Sequence, residues 1–112
     1  MKRGEVWWAN LPDPAGSELG LGRPVLILQV DEFNKSRIRT IVVAAITSNM
    51  RLSAAPGNVP LSKRSVGLDR ESVVNISQIV TLDKSFLNEK VGRVSQSKMN
   101  DVDEGVRLVL SL

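Results

Sequence analysis

Two uninterrupted apolar segments near the middle of the chain limit the folds open to it more than any other feature. They are residues 24–30, with the sequence PVLILQV, and residues 40–47, with the sequence TIVVAAIT. Neither alternates with polar residues, and both are far too short to cross a bilayer. Such segments are typical of strands that are buried on both faces. They predict a sheet whose central strands are covered from two sides.

Shorter segments around this pair also favour strands. Residues 6–9 are dense in β-formers and end before Pro12 and Pro14, which cannot continue a strand. Residues 58–61 contain Pro60, which indicates an edge strand. Residues 72–82 carry a polar break at 75–78, so one long bent strand and two short ones are both open, and residues 91–94 would add a short final strand.

The C-terminal segment changes to a helical period. Met99, Val102, Val106 and Val109 share one face of a helix over residues 97–112, with Ser95 or Ser97 as N-cap. A glycine at position 105 would weaken this helix by about 1 kcal/mol relative to alanine. Together the segments predict one domain spanning residues 1–112, mainly β (α+β): a small barrel or strongly bent sheet with a C-terminal helix.

Composition removes several classes of chemistry. The 112 residues contain no Cys and no His, which excludes disulfides, thiol nucleophiles and the commonest metal ligand and general base. Residues 16–22 are rich in glycine but lack the ending of a P-loop. Asp101 and Asp103 fall where acids normally begin a helix. We therefore expect no metal and no cofactor, and without an apolar leader we expect a soluble, cytoplasmic protein with no membrane segment.

The net charge of +3 is unevenly distributed. Residues 35–70 hold seven basic side chains and only Asp69 as an acid, a balance of +6. This third of the chain is a candidate surface for a polyanion. Solvated loops that keep the protein soluble are an equally good interpretation of the charge alone.

Three polar side chains form a candidate site if the two apolar strands pair antiparallel. Glu18 precedes the first of these strands, Arg23 stands at its start, and Thr47 ends the second. A carboxylate, a guanidinium and a hydroxyl suffice for metal-free RNA cleavage, because the ribose 2′-OH is itself the nucleophile. The competing structural interpretations are an ion pair of Arg23 with Glu18 or Asp31, and a strand-end turn at Thr47.

Six segments in order along the chain resemble the MazF/PemK family of toxin endoribonucleases. They are RGEVWW at 3–8, GSE at 16–18, GRPVL at 22–26, AAITS at 44–48, LDRESVV at 68–74 and SQIVTLDK at 77–84. The resemblance implies an SH3-like barrel, similar to MazF and CcdB, that forms a homodimer. It also implies sequence-specific, metal-independent cleavage of single-stranded mRNA to 2′,3′-cyclic phosphate and 5′-hydroxyl ends, with growth arrest. A cognate antitoxin with a flexible acidic segment would block the RNA groove.

The resemblance also implies roles for individual residues. Arg23 and Thr47 match the active-site arginine and threonine, and Glu18 matches a carboxylate proposed as the base, while the donor of the leaving-group proton stays open. The two loop segments of the family match residues 10–22 and 48–56 of this chain. The RNA-binding residues implied in this way are Asn10, Ser17, Ser48, Asn49, Arg51, Arg70 and Gln78.

Two other classes of function stay open. A CcdB-like toxin would use the same barrel to inhibit a protein such as a topoisomerase without cleaving anything. A non-catalytic SH3-like binding module is the other, although two Trp and two Phe are few for base stacking. Trp7 and Trp8 are adjacent on a strand and face opposite sides, and either core packing or stacking on a base would suit them.

Overall fold

The computed structural model describes residues 1–10 and 22–112. In these residues six strands form one antiparallel sheet, joined by short helices and followed by one long helix. In chain order the elements are β1 (Glu5–Asn10), β2 (Gly22–Ile27), α1 (Asp31–Asn34), β3 (Thr40–Thr47), a 3-10 turn (Met50–Ala54), β4 (Val59–Leu61), α2 (Lys63–Val66), β5 (Ser72–Asp83), a second 3-10 turn (Lys84–Phe86), β6 (Leu87–Arg93) and α3 (Gln96–Leu110).

The strand order is β4-β5-β3-β2-β1-β6, which places the two apolar segments at the centre of the sheet. Val25, Leu26 and Ile27 of β2 are all fully buried, because alternate side chains enter cores on opposite faces. One core lies under α2 and α3 and is built on Val6, Leu26, Ala44, Ile46, Ile76, Met99 and Val102 among others. The second lies on the other face and contains Ala9, Val25, Ile27, Ile41, Val43, Leu82 and Leu87. The prediction of strands buried on both faces is confirmed.

β5 is one long strand with an irregularity in the middle. Along β3, Ala45 lies opposite Asn75 whereas its neighbour Ala44 lies opposite Ile79. Residues 76–78 therefore stand outside the regular ladder, at the polar break in the sequence. This bulge bends β5, and a bulge of this kind increases the local curl of a sheet. Of the two alternatives for residues 72–82, the single bent strand is observed.

The two edge strands differ in how well the sequence predicted them. β4 pairs only with β5 and carries Pro60 at its centre, as expected of an edge. β6 starts at Leu87, four residues before the predicted strand, and pairs with β1. The start was missed because residues 88–90 are polar and exposed, and their strand conformation comes from pairing with β1.

The two tryptophans occupy different surroundings, and both are half-buried. Trp7 packs against the second core and donates from Nε1 to Glu5 Oε1 at 3.0 Å. Trp8 lies near Gly22, where an added Cβ would be 3.6 Å from its ring. Trp7 is therefore the tryptophan that faces a core.

Helix α3 is capped as the sequence predicted and packs closely against the sheet. Ser95 is the N-cap, and its hydroxyl accepts from Lys98 N at 3.2 Å. Met99 and Val102 are buried in the first core. Gly105 contacts the loop before β4 so closely that a Cβ there would overlap the carbonyl oxygen of Gly57. The residue that weakens the helix locally thus permits its packing.

Within residues 1–10 and 22–112, no helix is both long enough and apolar enough to cross a membrane.

Candidate active site

Arg23 and Thr47 lie on neighbouring strands at the same end of the sheet. β2 and β3 are antiparallel, and Val25 lies opposite Ala45. Val25 and Ala45 are the last recorded pair, and continuing this register by two residues would bring Arg23 opposite Thr47, on the side of the sheet that carries Val25. Arg23 is exposed and Thr47 is half-buried. The antiparallel pairing on which the candidate site depends is therefore present.

Arg23 also borders the end of β1 on its other side. It pairs with Ala9, while Asn10 pairs with Gly22. Asp31, an alternative partner for Arg23 in the sequence, is engaged elsewhere: its Oδ1 accepts from Arg3 N at 2.7 Å. This hydrogen bond lowers the pKa of Asp31. Glu18, the other alternative partner and the candidate base, lies outside the described residues together with Ser17.

Thr47 begins a polar turn that leads away from the strand. Its Oγ1 accepts from Asn49 N at 3.1 Å, and Asn49 Oδ1 in turn accepts from Arg51 N at 3.2 Å. Ser48, Asn49 and Arg51 are exposed. The strand-end turn expected at Thr47 is therefore present. Its hydrogen bond uses the hydroxyl oxygen as acceptor and does not use the hydroxyl hydrogen. One hydroxyl serves the turn and can still donate to a ligand.

The remaining predicted residues lie on or next to β5. Arg70 is exposed and precedes β5 by two residues, and Val73 of that strand pairs with Thr47. Gln78 is exposed in the β5 bulge, beside the middle of β3. Arg23, Thr47, Asn10 and Arg70 therefore share one end of the sheet, with the segment from Ser48 to Arg51, while Gln78 lies further along.

The sequence analysis missed an amide network behind this surface. Asn58 Oδ1 accepts from Ile76 N at 2.9 Å, and Asn58 Nδ2 donates to Leu52 O at 2.9 Å and to Asn75 Oδ1 at 3.2 Å. Asn75 Oδ1 also accepts from Ser77 Oγ at 3.1 Å. The polar break at 75–78 was the sequence signal for these residues, but it did not identify Asn58 as their partner.

The structure distributes the seven basic residues of 35–70 over several elements. Lys35, Arg37 and Arg39 precede β3, whereas Thr47 ends it, and an eight-residue strand separates the two by roughly 23 Å. Lys63 and Arg64 belong to α2, and Arg51 and Arg70 lie near the Thr47 end. A polyanion surface over residues 35–70 stays a prediction.

No group of three or more Asp or Glu side chains that could hold a metal ion occurs in residues 1–10 and 22–112. Asp101 and Asp103 do not begin α3 as expected, because the helix starts at Gln96 and its first turn contains no acidic residue. Asp103 lies in the middle of α3 and pairs with Arg3 at 2.6 Å. Its role in these residues is to tie α3 to the start of the chain.

The arrangement suits a phosphodiester. An exposed guanidinium offers a planar set of donors that matches phosphate oxygens, and a hydroxyl beside it adds one more donor. Polar groups from β1, the turn after β3 and the start of β5 surround this pair. This end of the sheet can therefore hold a phosphate while neighbouring groups contact the flanking nucleotides.

Comparison with known proteins gives a consistent result. The family model described as "PemK-like, MazF-like toxin of type II toxin-antitoxin system" matches residues 2–110. A protein of Mycobacterium tuberculosis named endoribonuclease MazF6 is 48% identical over 112 residues, covering 100% of this chain and 98% of that protein. An endoribonuclease MazF of Staphylococcus epidermidis is 42% identical over 112 residues, covering 100% and 92%.

Solved structures share the fold. The Mycobacterium tuberculosis toxin MazF-mt6 has a TM-score of 0.81 at 24% identity, covering 96% of this chain and 97% of that one. A mycobacterial endoribonuclease in complex with its cognate antitoxin also has a TM-score of 0.81 at 24% identity, covering 100% and 96%. The six-stranded curled sheet with a C-terminal helix is thus the fold of these toxins. With the family model matching nearly the whole chain, the protein belongs to the PemK-like, MazF-like toxin family of type II toxin–antitoxin systems.

Proposed function

We propose that this protein is the toxin of a type II toxin–antitoxin system and acts as a sequence-specific endoribonuclease on single-stranded RNA. The observation that supports the proposal is the antiparallel β2–β3 pairing, whose register, continued by two residues from Val25 and Ala45, would bring Arg23 opposite Thr47 at one end of the sheet. Membership of the toxin family and the 48% identity to a protein named endoribonuclease support the same activity.

The reaction is an internal transfer at phosphorus. The 2′-oxygen attacks the adjacent phosphorus as its proton leaves, the bond to the 5′-oxygen breaks, and that oxygen takes up a proton from solvent, giving a 2′,3′-cyclic phosphate and a 5′-hydroxyl. Arg23 holds the phosphoryl oxygens and stabilises the charge that develops on them. A guanidinium is a very weak acid, so Arg23 does not protonate the leaving oxygen. The hydroxyl of Thr47 donates a second hydrogen bond, and Glu18 takes the 2′-proton.

Groups around the pair bind the flanking nucleotides. We assign this role to described residues at the same end of the sheet or along the neighbouring strand, namely Asn10, Ser48, Asn49, Arg51, Arg70 and Gln78, and, on the family resemblance alone, to Ser17. Because the contacts are polar and basic, binding should weaken as the salt concentration rises. The exposed segment after Thr47 adds the amide of Asn49 and the guanidinium of Arg51 to this surface.

The partners follow from the same surface. A cognate antitoxin with an acidic, partly disordered segment would compete with RNA for the basic groups. We also propose a homodimer, for which Leu108, Leu110 and Leu112, all more than half exposed at the end of α3, provide apolar surface. Action on mRNA places the protein in the cytoplasm.

The test is incubation of the purified, folded protein, free of antitoxin, with a long single-stranded RNA in EDTA, followed by mapping of the cut ends. We expect discrete cuts that carry a cyclic phosphate and a 5′-hydroxyl. Intact RNA would refute the proposal and favour a CcdB-like inhibitor of a protein target.

The Arg23→Ala variant tests the site itself. Because Arg23 stabilises developing charge, its removal should lower kcat by about 10²–10³-fold without loss of fold. Arg37→Ala is the matched control, since Arg37 is equally exposed and equally charged but lies at the other end of β3. Equal cleavage by the two variants would contradict the assignment of Arg23.

A further inference from the structure

The segment between β3 and β4, residues 48–58, packs against α3 through Gly57 and is hydrogen-bonded to β5 through one side chain. Its own hydrogen bonds are local: Leu52 N donates to Asn49 O, Ala55 N to Leu52 O, and Asn58 N to Ala55 O, each at 3.1 Å. In the described part of the chain, the side-chain hydrogen bonds that join this segment to β5 come from Asn58, which also donates to Leu52 O within the segment. One side chain therefore provides the side-chain hydrogen bonds that fix the segment to β5.

The same side chain also holds the β5 bulge. Ile76 N–H donates to Asn58 Oδ1, because residues 76–78 stand outside the ladder with β3. Asn75 Oδ1 receives the Asn58 amide and the Ser77 hydroxyl together. The bulge that carries Gln78 and the 3-10 turn that carries Arg51 are thus fixed to one another through Asn58.

We propose that Asn58 is a positioning residue that determines which RNA sequence the protein prefers. It sets the spacing between two groups assigned to RNA binding, Arg51 on the turn and Gln78 on the bulge. It contacts neither Arg23 nor Thr47 by a hydrogen bond in the described residues. This inference rests on the proposed ribonuclease function and concerns the reading of sequence, whereas the pair of Arg23 and Thr47 concerns the chemical step.

The variant Asn58→Asp separates the two halves of the network. A carboxylate has nearly the shape of the amide and keeps the acceptor for Ile76 N–H. The second oxygen of the aspartate takes the place of the amide nitrogen and faces Leu52 O and Asn75 Oδ1. Two hydrogen bonds therefore become repulsive oxygen–oxygen contacts. The turn should be released while the bulge bond remains.

The experiment compares wild type, Asn58→Asp and Asn88→Asp on two short RNAs, one with the mapped cleavage site and one with a single base changed in it. Asn88 lies exposed on β6, and the variant Asn88→Asp is the control because it introduces the same negative charge away from the site. For Asn58→Asp we expect the ratio of kcat/KM for the original RNA to kcat/KM for the changed RNA to fall about tenfold, because two hydrogen bonds that position the turn are lost. KM should rise while kcat stays within about threefold, and Asn88→Asp should match wild type.

The outcomes are distinct. Wild type that cuts no RNA refutes the proposed function itself. Wild type that cuts, with Asn58→Asp showing an unchanged ratio, overturns the inference alone, as does an equal loss in Asn88→Asp. If Asn58→Asp does not fold, Ser77→Ala replaces it, since Ser77 is exposed and its hydroxyl orients Asn75 Oδ1. A shift of about twofold in the same ratio supports the proposal, and no shift overturns it.

Discussion

Glu5 is a buried carboxylate whose charge the structure stabilises, and replacing it with glutamine tests that stabilisation. The residue is only 6% exposed on β1. Its Oε1 accepts from Lys2 N at 2.9 Å and from Trp7 Nε1 at 3.0 Å, and Lys90 Nζ lies 3.0 Å from Oε2. Glu5→Gln keeps the shape of the side chain but removes the charge that these donors face.

The size of the effect follows from the pKa. Burial by itself raises the pKa of Glu5, but the hydrogen bonds from Trp7, Lys2 and Lys90 outweigh it and lower the pKa from 4.5 to about 2. A difference of this size corresponds to about 3 kcal/mol of folding free energy. Since the folded pKa is the lower one, this stability is fully present above pH 4.5 and is lost as the pH falls towards 2. Lys90 is half exposed, so solvent weakens its share.

The assay is urea unfolding of wild type and Glu5→Gln at one protein concentration, at pH 6 and at pH 3. The difference between the two proteins cancels the contributions of other carboxylates. We expect the free energy of unfolding of Glu5→Gln to be lower than that of wild type by about 3 kcal/mol at pH 6 and by about 1.5 kcal/mol at pH 3. Glu89→Gln, an exposed position on β6, removes the same charge and should change stability by less than about 0.5 kcal/mol. A Glu5→Gln protein as stable as wild type at pH 6, or a difference that does not shrink at pH 3, would refute the reasoning.

Three further predictions concern the site and helix α3. Thr47→Val should lower kcat/KM for RNA about 10–100-fold, because the hydroxyl that donates to the phosphate is lost. Ser95→Ala should lower the free energy of unfolding by about 1 kcal/mol, measured by thermal or urea unfolding, since the cap of α3 at Lys98 N is removed. Gly105→Ala should destabilise the protein by about 1–3 kcal/mol in the same assay, although alanine favours a helix, because its Cβ would overlap Gly57 O.

Each of these has its own control. Thr47→Ser should restore most of the activity, and a Thr47→Val protein as active as wild type would remove Thr47 from the site. Ser97→Ala, on the exposed side of the first turn of α3, should leave stability nearly unchanged. A Gly105→Ala protein more stable than wild type would mean that local propensity outweighs the contact with Gly57.

The fold was predictable where the signal is local. β3 has the bounds expected from its apolar run, and α3 begins at Gln96 behind the predicted cap Ser95. The short helices α1 and α2 and the first half of β6 were not predicted. Each is set by neighbours from elsewhere in the chain: α2, for instance, packs so closely on β6 that a Cβ at Gly92 would overlap the backbone of Val66.

The candidate site was predictable in part. Arg23 and Thr47 stood out because Arg23 is the polar residue at the start of one buried apolar strand and Thr47 is the polar residue at the end of the other. The antiparallel pairing of those strands is confirmed. Their catalytic role stays a prediction, as does that of Glu18. Asn58 gave no such signal, because an asparagine before a proline-containing strand is ordinary in a sequence, and its importance lies in partners 6, 17 and 18 residues away.

The sequence by itself determined the β character of the chain, the burial of its two central strands on both faces, the terminal helix and the toxin family. These depend on the pattern of side chains a few residues apart, which any strand or helix displays locally. Only the tertiary structure decided that Gly105 is needed against Gly57, that the basic residues before β3 stand far from Thr47, and that Asn58 joins the turn to the bulge. Those facts follow from the register and curl of the sheet, which depend on all six strands together and on no one segment alone.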